Sequence, residues 1–154
     1  MTPKETNYFF IIVIIIFVFI IATFITNNNL RTWFYSNEVI RSKFTPPGII
    51  FGIVWVLLYI FYAWTWCIAY KKSKEKYYPV FILSIVLNLL WVVAFFGLHN
   101  LILSQIIIVA LLIVVLYQIY IMEKLNSRTG VAFMSIYALW LVCAALLNFT
   151  TYIK

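Results

Sequence analysis

The sequence predicts an all-α integral membrane protein, a five-transmembrane-helix bundle. Three observations carry that expectation. Residues 6–30, 44–70, 77–122 and 129–153 contain no Asp, Glu, Lys or Arg. A bilayer core takes roughly 20 apolar residues per helix, so three of these intervals hold one span each and the longest holds two. The composition agrees, at 66% hydrophobic and 10% charged with mean hydropathy +1.07, far from the soluble range. The Lys and Arg residues gather in short connections. That is a topology signal rather than a nucleic-acid footprint, despite the net charge of +7.

Residues 1–154 read as a single membrane domain, with no linker and no repeat of fixed period. Helix 1 is expected over about 8–25. Its Ile/Phe/Val run is longer than the apolar core of a signal peptide, and Thr26-Asn27-Asn28-Asn29 is a poor cleavage site. A polar connection follows from Asn27 to Thr45, with Trp33, Phe34 and Tyr35 in it. Those aromatics suit either the headgroup layer or a lid over a pocket. Helix 2 is expected over 46–70, with Thr45 as cap and proline at the first helical position. Helix 3 is expected over 78–96 with Gly97 as its C-terminal cap. Helix 4 then covers 101–122 and helix 5 covers 131–153.

Lys/Arg counting orients the bundle. Lys4, Lys71, Lys72, Lys74, Lys76, Lys124 and Arg128 fall on one side; Arg31, Arg41, Lys43 and Lys154 fall on the other. The N-terminus is therefore expected on the inner, cytoplasmic side, with the long first loop opposite.

The composition also excludes chemistry. The sequence has no aspartate, and Glu5, Glu38, Glu75 and Glu123 lie outside the expected spans. The single histidine, His99, sits at a turn. Proton-coupled carriers and voltage sensors carry ionisable groups within their spans. Metal sites need clusters of His, Cys or carboxylate, and classical hydrolysis needs acid–base pairs. None of these is expected here, nor is a metal or cofactor. Cys67 and Cys143 lie far apart within helices and read as small packing residues.

Three helices instead carry polar-aromatic stripes. On helix 2, Phe51, Trp55, Tyr59, Tyr62 and Trp66 fall within roughly 80° at 100° per residue. On helix 3, Ser84, Asn88, Trp91 and Phe95 fall within roughly 60°. On helix 5, Tyr137, Trp140, Ala144 and Asn148 fall within roughly 80°. Such stripes either pack helices together, with Asn as interhelical glue, or wall a pocket between helices 2, 3 and 5 for a large flat ligand oriented by Asn88 and Asn148. Gly48 and Gly52 form a Gly-x-x-x-Gly pair suited to close helix approach or a dimer contact.

Thr45-Pro46-Pro47 with Phe51-Gly52-Ile53-Val54-Trp55 and Tyr59 resembles the second-helix signature of the TspO/MBR family, the tryptophan-rich sensory or translocator proteins. Leu87-Asn88-Leu89-Leu90-Trp91, with Phe95-Phe96-Gly97-Leu98-His99, resembles the third-helix signature. Tyr137-Ala138-Leu139-Trp140, Ala144 and Leu147-Asn148-Phe149 resemble the fifth. The resemblance covers about 44–152, and helix 1 fits by hydrophobicity alone. It implies a five-helix bundle, commonly a homodimer, with a cavity open towards the first loop. It implies a receptor or carrier for tetrapyrroles (porphyrin, haem) as ligand and also for sterols. Trp55, Asn88, Trp91, Trp140 and Ala144 match family pocket positions, and Phe51, Tyr59, Phe95 and Asn148 complete the expected ligand-binding set. Trp55 and Trp140 match tryptophans implicated in light-dependent porphyrin breakdown in some bacterial members, the alternative activity. A structural or regulatory membrane partner is the third reading. The sequence departs from the family pattern at Phe44, Ile53, Val92 and Val93, and Gln105 is the nearest counterpart of the family's helix-4 Asp. Leu147, Tyr152 and Lys154 satisfy a loose sterol consensus.

Overall fold

The computed structural model describes residues 3–36, 39–40 and 45–153, with side chains described over 7–36, 39–40 and 45–151. Glu38, Arg41, Lys43, Phe44 and Lys154 lie outside the described residues, as do the side chains of Lys4, Glu5 and Tyr152. Five α-helices make up nearly all of the remainder: α1 (Pro3–Asn29), α2 (Gly48–Ser73), α3 (Tyr78–Val92), α4 (Leu101–Lys124) and α5 (Arg128–Phe149).

Several boundaries depart from the sequence expectation. α1 does not stop at residue 25. It continues through the polar run to Asn29 and then widens into a π-helical turn, Leu30–Phe34. Side chains support this extension from within: Asn29 Nδ2 donates to the Ile25 carbonyl and Thr32 Oγ1 to the Asn28 carbonyl. At α2 the cap is Pro47, in extended conformation, and no side chain caps it, so Thr45 does not play that part. The physical reason is that each residue before a proline is pushed out of the helical region. α2 runs on through Lys71 and Lys72 to Ser73, and a 3₁₀ turn (Lys74–Tyr77) joins it to α3.

α3 widens into a second π turn, Val93–Gly97. Gly97 is not the left-handed cap; His99 takes that conformation with φ 53°. Asn100 then caps α4 by accepting from the Leu103 N–H at 2.9 Å. Ser127 caps α5 through the Gly130 N–H. α5 ends at Phe149, short of the expected 153. Strand β2 (Tyr152–Ile153) pairs antiparallel with β1 (Val39–Ile40) of the first loop.

Cross-helix pairs give the arrangement. α2 and α3 run antiparallel, because Trp66 meets Phe81, Tyr62 meets Phe81, Tyr59 meets Asn88 and Trp55 meets Trp91 in descending order against ascending order. α2 and α5 are likewise antiparallel, from Phe61–Phe133 to Phe51–Trp140. α1 lies along α2 and α3, and α4 packs between α3 and α5 through Gln118–Ser84 and Ser104–Asn148. The core is a column of Phe81, Ile108, Leu111, Met134 and Leu141, all sealed from the outside. The outer faces are Ile, Leu, Val and Phe, as a lipid-facing bundle requires. Among the described residues, four continuous helical stretches are long and apolar enough to cross a membrane: Asn7–Phe34, Gly48–Gly97, Leu101–Lys124 and Arg128–Phe149.

Candidate functional site

The α2 stripe faces inward, and its midpoint is Trp55. That ring lies 5.7 Å from Trp91 on α3 and 6.5 Å, edge-on, from Trp140 on α5. Phe51 reaches the other side of Trp140 at 5.7 Å, and Trp91 stacks on Phe95 at 5.6 Å. The indoles of three helices thus converge, as the 3.6-residue period places all members of each stripe on one face.

Beside this cluster is a cavity of about 260 Å³. Phe51, Gly52, Trp55 and Tyr59 form one wall, Trp91, Val92 and Phe96 a second, and Phe19, Ala22 and Thr26 of α1 a third. Its existence depends on small residues. A Cβ on Gly52 would meet nothing within 4 Å, so the missing side chain is open space. Gly48 acts differently. A Cβ there would lie 3.1 Å from Leu30 and 3.4 Å from Tyr35, so the glycine admits the π-helical end of α1 and the start of the first loop against α2.

That loop is packed inward. Trp33 and Phe34 are 7% and 2% exposed, which takes both rings out of the headgroup layer. Phe34 touches Phe51 and Phe95, and Trp33 touches Phe95 and stacks on His99 at 4.1 Å. His99 Nε2 in turn reaches Asn29 Oδ1 at 3.3 Å. The Tyr35 hydroxyl donates to the Pro46 carbonyl. The loop is therefore held over the rims of α2 and α3.

The space between α2, α3 and α5 is filled instead. Tyr59 donates to Asn88 Oδ1 at 2.6 Å, and Asn88 Nδ2 donates to the Tyr137 hydroxyl at 3.0 Å. A void of about 10 Å³ remains there, one water at most. A parallel cluster lies deeper. The Tyr62 hydroxyl donates to the Phe81 carbonyl and shares a hydrogen bond with Ser84 Oγ, which also accepts from Gln118 Nε2. Asn148 faces away from the cavity, exchanging hydrogen bonds with Ser104 of α4. Ala144 is buried on α5 and does not line the cavity. Of the expected set, then, Phe51, Trp55, Tyr59 and Trp91 line the opening. Phe95 and Trp140 back it, Asn88 braces Tyr59, and Ala144 and Asn148 stand apart.

Sequence reasoning missed the α1 wall and the Phe96 rim. Helix 1 is apolar all round, so no periodic signal singles out Phe19 or Ala22. The Thr23-Thr26-Asn27 group was the available hint, since all three line the cavity. Among the departures from the family pattern, Val92 lines the cavity, Ile53 faces outward, and Gln105 leaves its Oε1 buried without a partner.

Chemically the site offers flat apolar faces and a few donors. Trp91 Nε1 and Trp140 Nε1 are buried with no hydrogen-bond partner among the described residues. An unpaired indole N–H in such surroundings favours an acceptor brought by a ligand. Among the described residues no group of three or more His, Cys, Asp or Glu stands close enough to hold a metal.

Comparison with known proteins follows the same residues. The tryptophan-rich protein TspO of Archaeoglobus fulgidus is 31% identical over 136 residues, 86% of each chain. Residues 10–153 match the TspO/MBR family from helix 1 to the last strand, so the apolar α1, the inward tryptophans and the capped cavity belong to one integral, multi-pass membrane protein of that family.

Proposed function

We propose that this protein is a membrane receptor or carrier for tetrapyrroles, porphyrin or haem, and for sterols, bound in the cavity beneath the first loop. The observation that carries the reading is the meeting of Trp55, Trp91 and Trp140, the first two lining the opening and the third behind it. Flat aromatic walls stack on a planar macrocycle, and the free N–H groups suit its carboxylate or carbonyl edge. Size limits the pose. About 260 Å³ is just below the roughly 300–1,000 Å³ of ordinary ligand sites, so a tetrapyrrole requires Trp33 and Phe34 to lift from the rim.

Binding is tested by quenching of tryptophan fluorescence with protoporphyrin IX. A Trp55→Phe/Trp140→Phe double variant should quench far less than wild type after correction for fewer emitters. Equal quenching would remove the site. A thermal-shift panel of porphyrin, haem and cholesterol separates this reading from a purely structural or regulatory role, which predicts no stabilisation by any of them.

The edge-on contact of Trp55 with Trp140 favours a second reading, light-dependent porphyrin degradation with oxygen as oxidant. Illumination would then yield a new tetrapyrrole product, lost in Trp140→Phe; bleaching identical to that in empty micelles counts against it. The assembly that accompanies either reading has five crossings. The 50-residue stretch Gly48–Gly97 measures about 75 Å as helix, more than twice a ~30 Å hydrocarbon core, and folds back at Lys74. The N-terminus lies on the inner side with the lysine cluster, and the protein acts as a homodimer.

A further inference from the structure

α1 touches α2 through rings at two places. Tyr8 meets Tyr70 edge-on at 5.2 Å, where Asn7 Nδ2 also donates to the Tyr70 hydroxyl. Phe19 meets Tyr59 at 5.2 Å. Between these points the helices part, leaving a groove of about 650 Å³ open on its outer side. Ile12, Ile16 and Ile60 form its sides, and the small residues Ala63 and Cys67 let it deepen.

One charged residue lines it: Lys71, at the Tyr8 end. The neighbouring lysines are engaged. Lys72 Nζ donates to the carbonyls of Leu125 and Asn126 at 2.7 and 3.1 Å, Lys74 lies over the Tyr70 ring, and Lys76 over the Tyr77 ring. Lys71 has no such partner among the described residues, and no carboxylate lines the groove. From Tyr8 to Phe19 the groove follows α1 for roughly 17 Å. That is about one leaflet of a ~30 Å core.

The geometry points to a lipid site that is distinct from the tryptophan cavity: the groove takes one acyl chain of an anionic glycerophospholipid, with the phosphate paired to the Lys71 ammonium. Three features specify this occupant. The length matches a single leaflet, the lining is apolar up to Lys71, and a cation with no partner among the described residues stands where the chain reaches the headgroup layer. A basic group at that depth favours an anionic over a zwitterionic headgroup. The groove and the cavity share Phe19, Val56 and Tyr59 as a partition, so a seated chain would also back the cavity wall.

The test is competitive lipid retention by the full chain. Protein in micelles is offered phosphatidylglycerol and phosphatidylcholine with the same acyl chains, and the retained lipid is counted by native mass spectrometry. Wild type should prefer phosphatidylglycerol by about fivefold, the worth of one lysine near an anionic headgroup. Lys71→Gln should abolish the preference, and Ala63→Phe, which fills the groove, should reduce retention of both lipids. Lys124→Gln, on the same side but outside the groove, should leave the preference intact. Equal retention of the two lipids by wild type overturns the proposal, as does a preference that survives Lys71→Gln. Loss in Lys71→Gln with full retention in Ala63→Phe would show headgroup attraction without a seated chain, and would overturn the groove.

Discussion

Between α4 and α5 the backbones approach until a glycine meets a methionine: a Cβ on Gly130 would stand 2.5 Å from Met122 Sδ. Between α1 and α2, ring contacts at two ends enclose a groove, and beyond Phe19 the same pair borders the aromatic cavity. Polar groups do not divide in the same way. On the α3–α4–α5 side, Asn148 is bonded to Ser104, and Ser84 is bonded to both Tyr62 and Gln118. Buried polar atoms with no partner among the described residues occur on both sides, at Trp91 and Trp140 Nε1 by the cavity and at Gln105 and Gln118 Oε1 on α4. In lipid, helices gain from close packing and interhelical hydrogen bonds rather than from escaping water. The closed half uses both sources of stability. The open half forgoes part of the packing and leaves a cavity.

That contrast is open to measurement by melting in micelles. The largest effect should come from deleting a sealed ring. Phe81→Ala, which removes contacts with Tyr62 and Trp66, should cost about 3–5 kcal/mol. Phe19→Ala, half-buried on the cavity rim, should cost about half that or less. Equal losses would break the distinction between the two halves.

Glycines give the next largest difference. Gly130→Val should destabilise by about 1–3 kcal/mol through overpacking against Met122. Gly52→Val, with open space where its Cβ would go, should stay within about 0.5 kcal/mol while reducing porphyrin-induced stabilisation. A costly Gly52→Val would mean that the cavity is closed in the working protein.

Asn148→Leu should cost about 0.6–1.7 kcal/mol by removing the α4–α5 hydrogen bonds to Ser104, which keeps its bond to the Leu101 carbonyl, and should leave porphyrin affinity unchanged. A change in affinity would bring Asn148 back into the site. The smallest effect sharpens the comparison at the loop. His99→Ala removes the stack on Trp33, worth about 0.5–1.5 kcal/mol, and should speed porphyrin association several-fold in stopped-flow quenching. An unchanged rate would show that the first loop does not gate the cavity.

Much of this division is hard to read from residues in a line. The helix-2 stripe was legible because five aromatics at spacings of three and four must share a face, and the structure turns that face to α3 and α5. The two asparagines looked alike on their stripes, yet Asn88 braces the Tyr59 wall and Asn148 ties α5 to α4. A stripe specifies the direction of a side chain, not which neighbour it meets. The Gly48–Gly52 pair shows the same limit. The two glycines look alike in sequence, yet Gly48 admits Leu30 at the end of α1 together with Tyr35, and Gly52 borders the cavity.

Hydrophobic run length, charge spacing and stripe periodicity determined by themselves that the chain is a helical membrane protein with inward tryptophans, because those properties are local and lipid permits few alternatives to a helix. Tertiary structure alone decided which gap between helices stays open. That outcome depends on how Asn88 and Gln118 satisfy their hydrogen bonds across helices, on where α1 leans, and on how the first loop packs over the rim. Each is a long-range contact that no local pattern encodes.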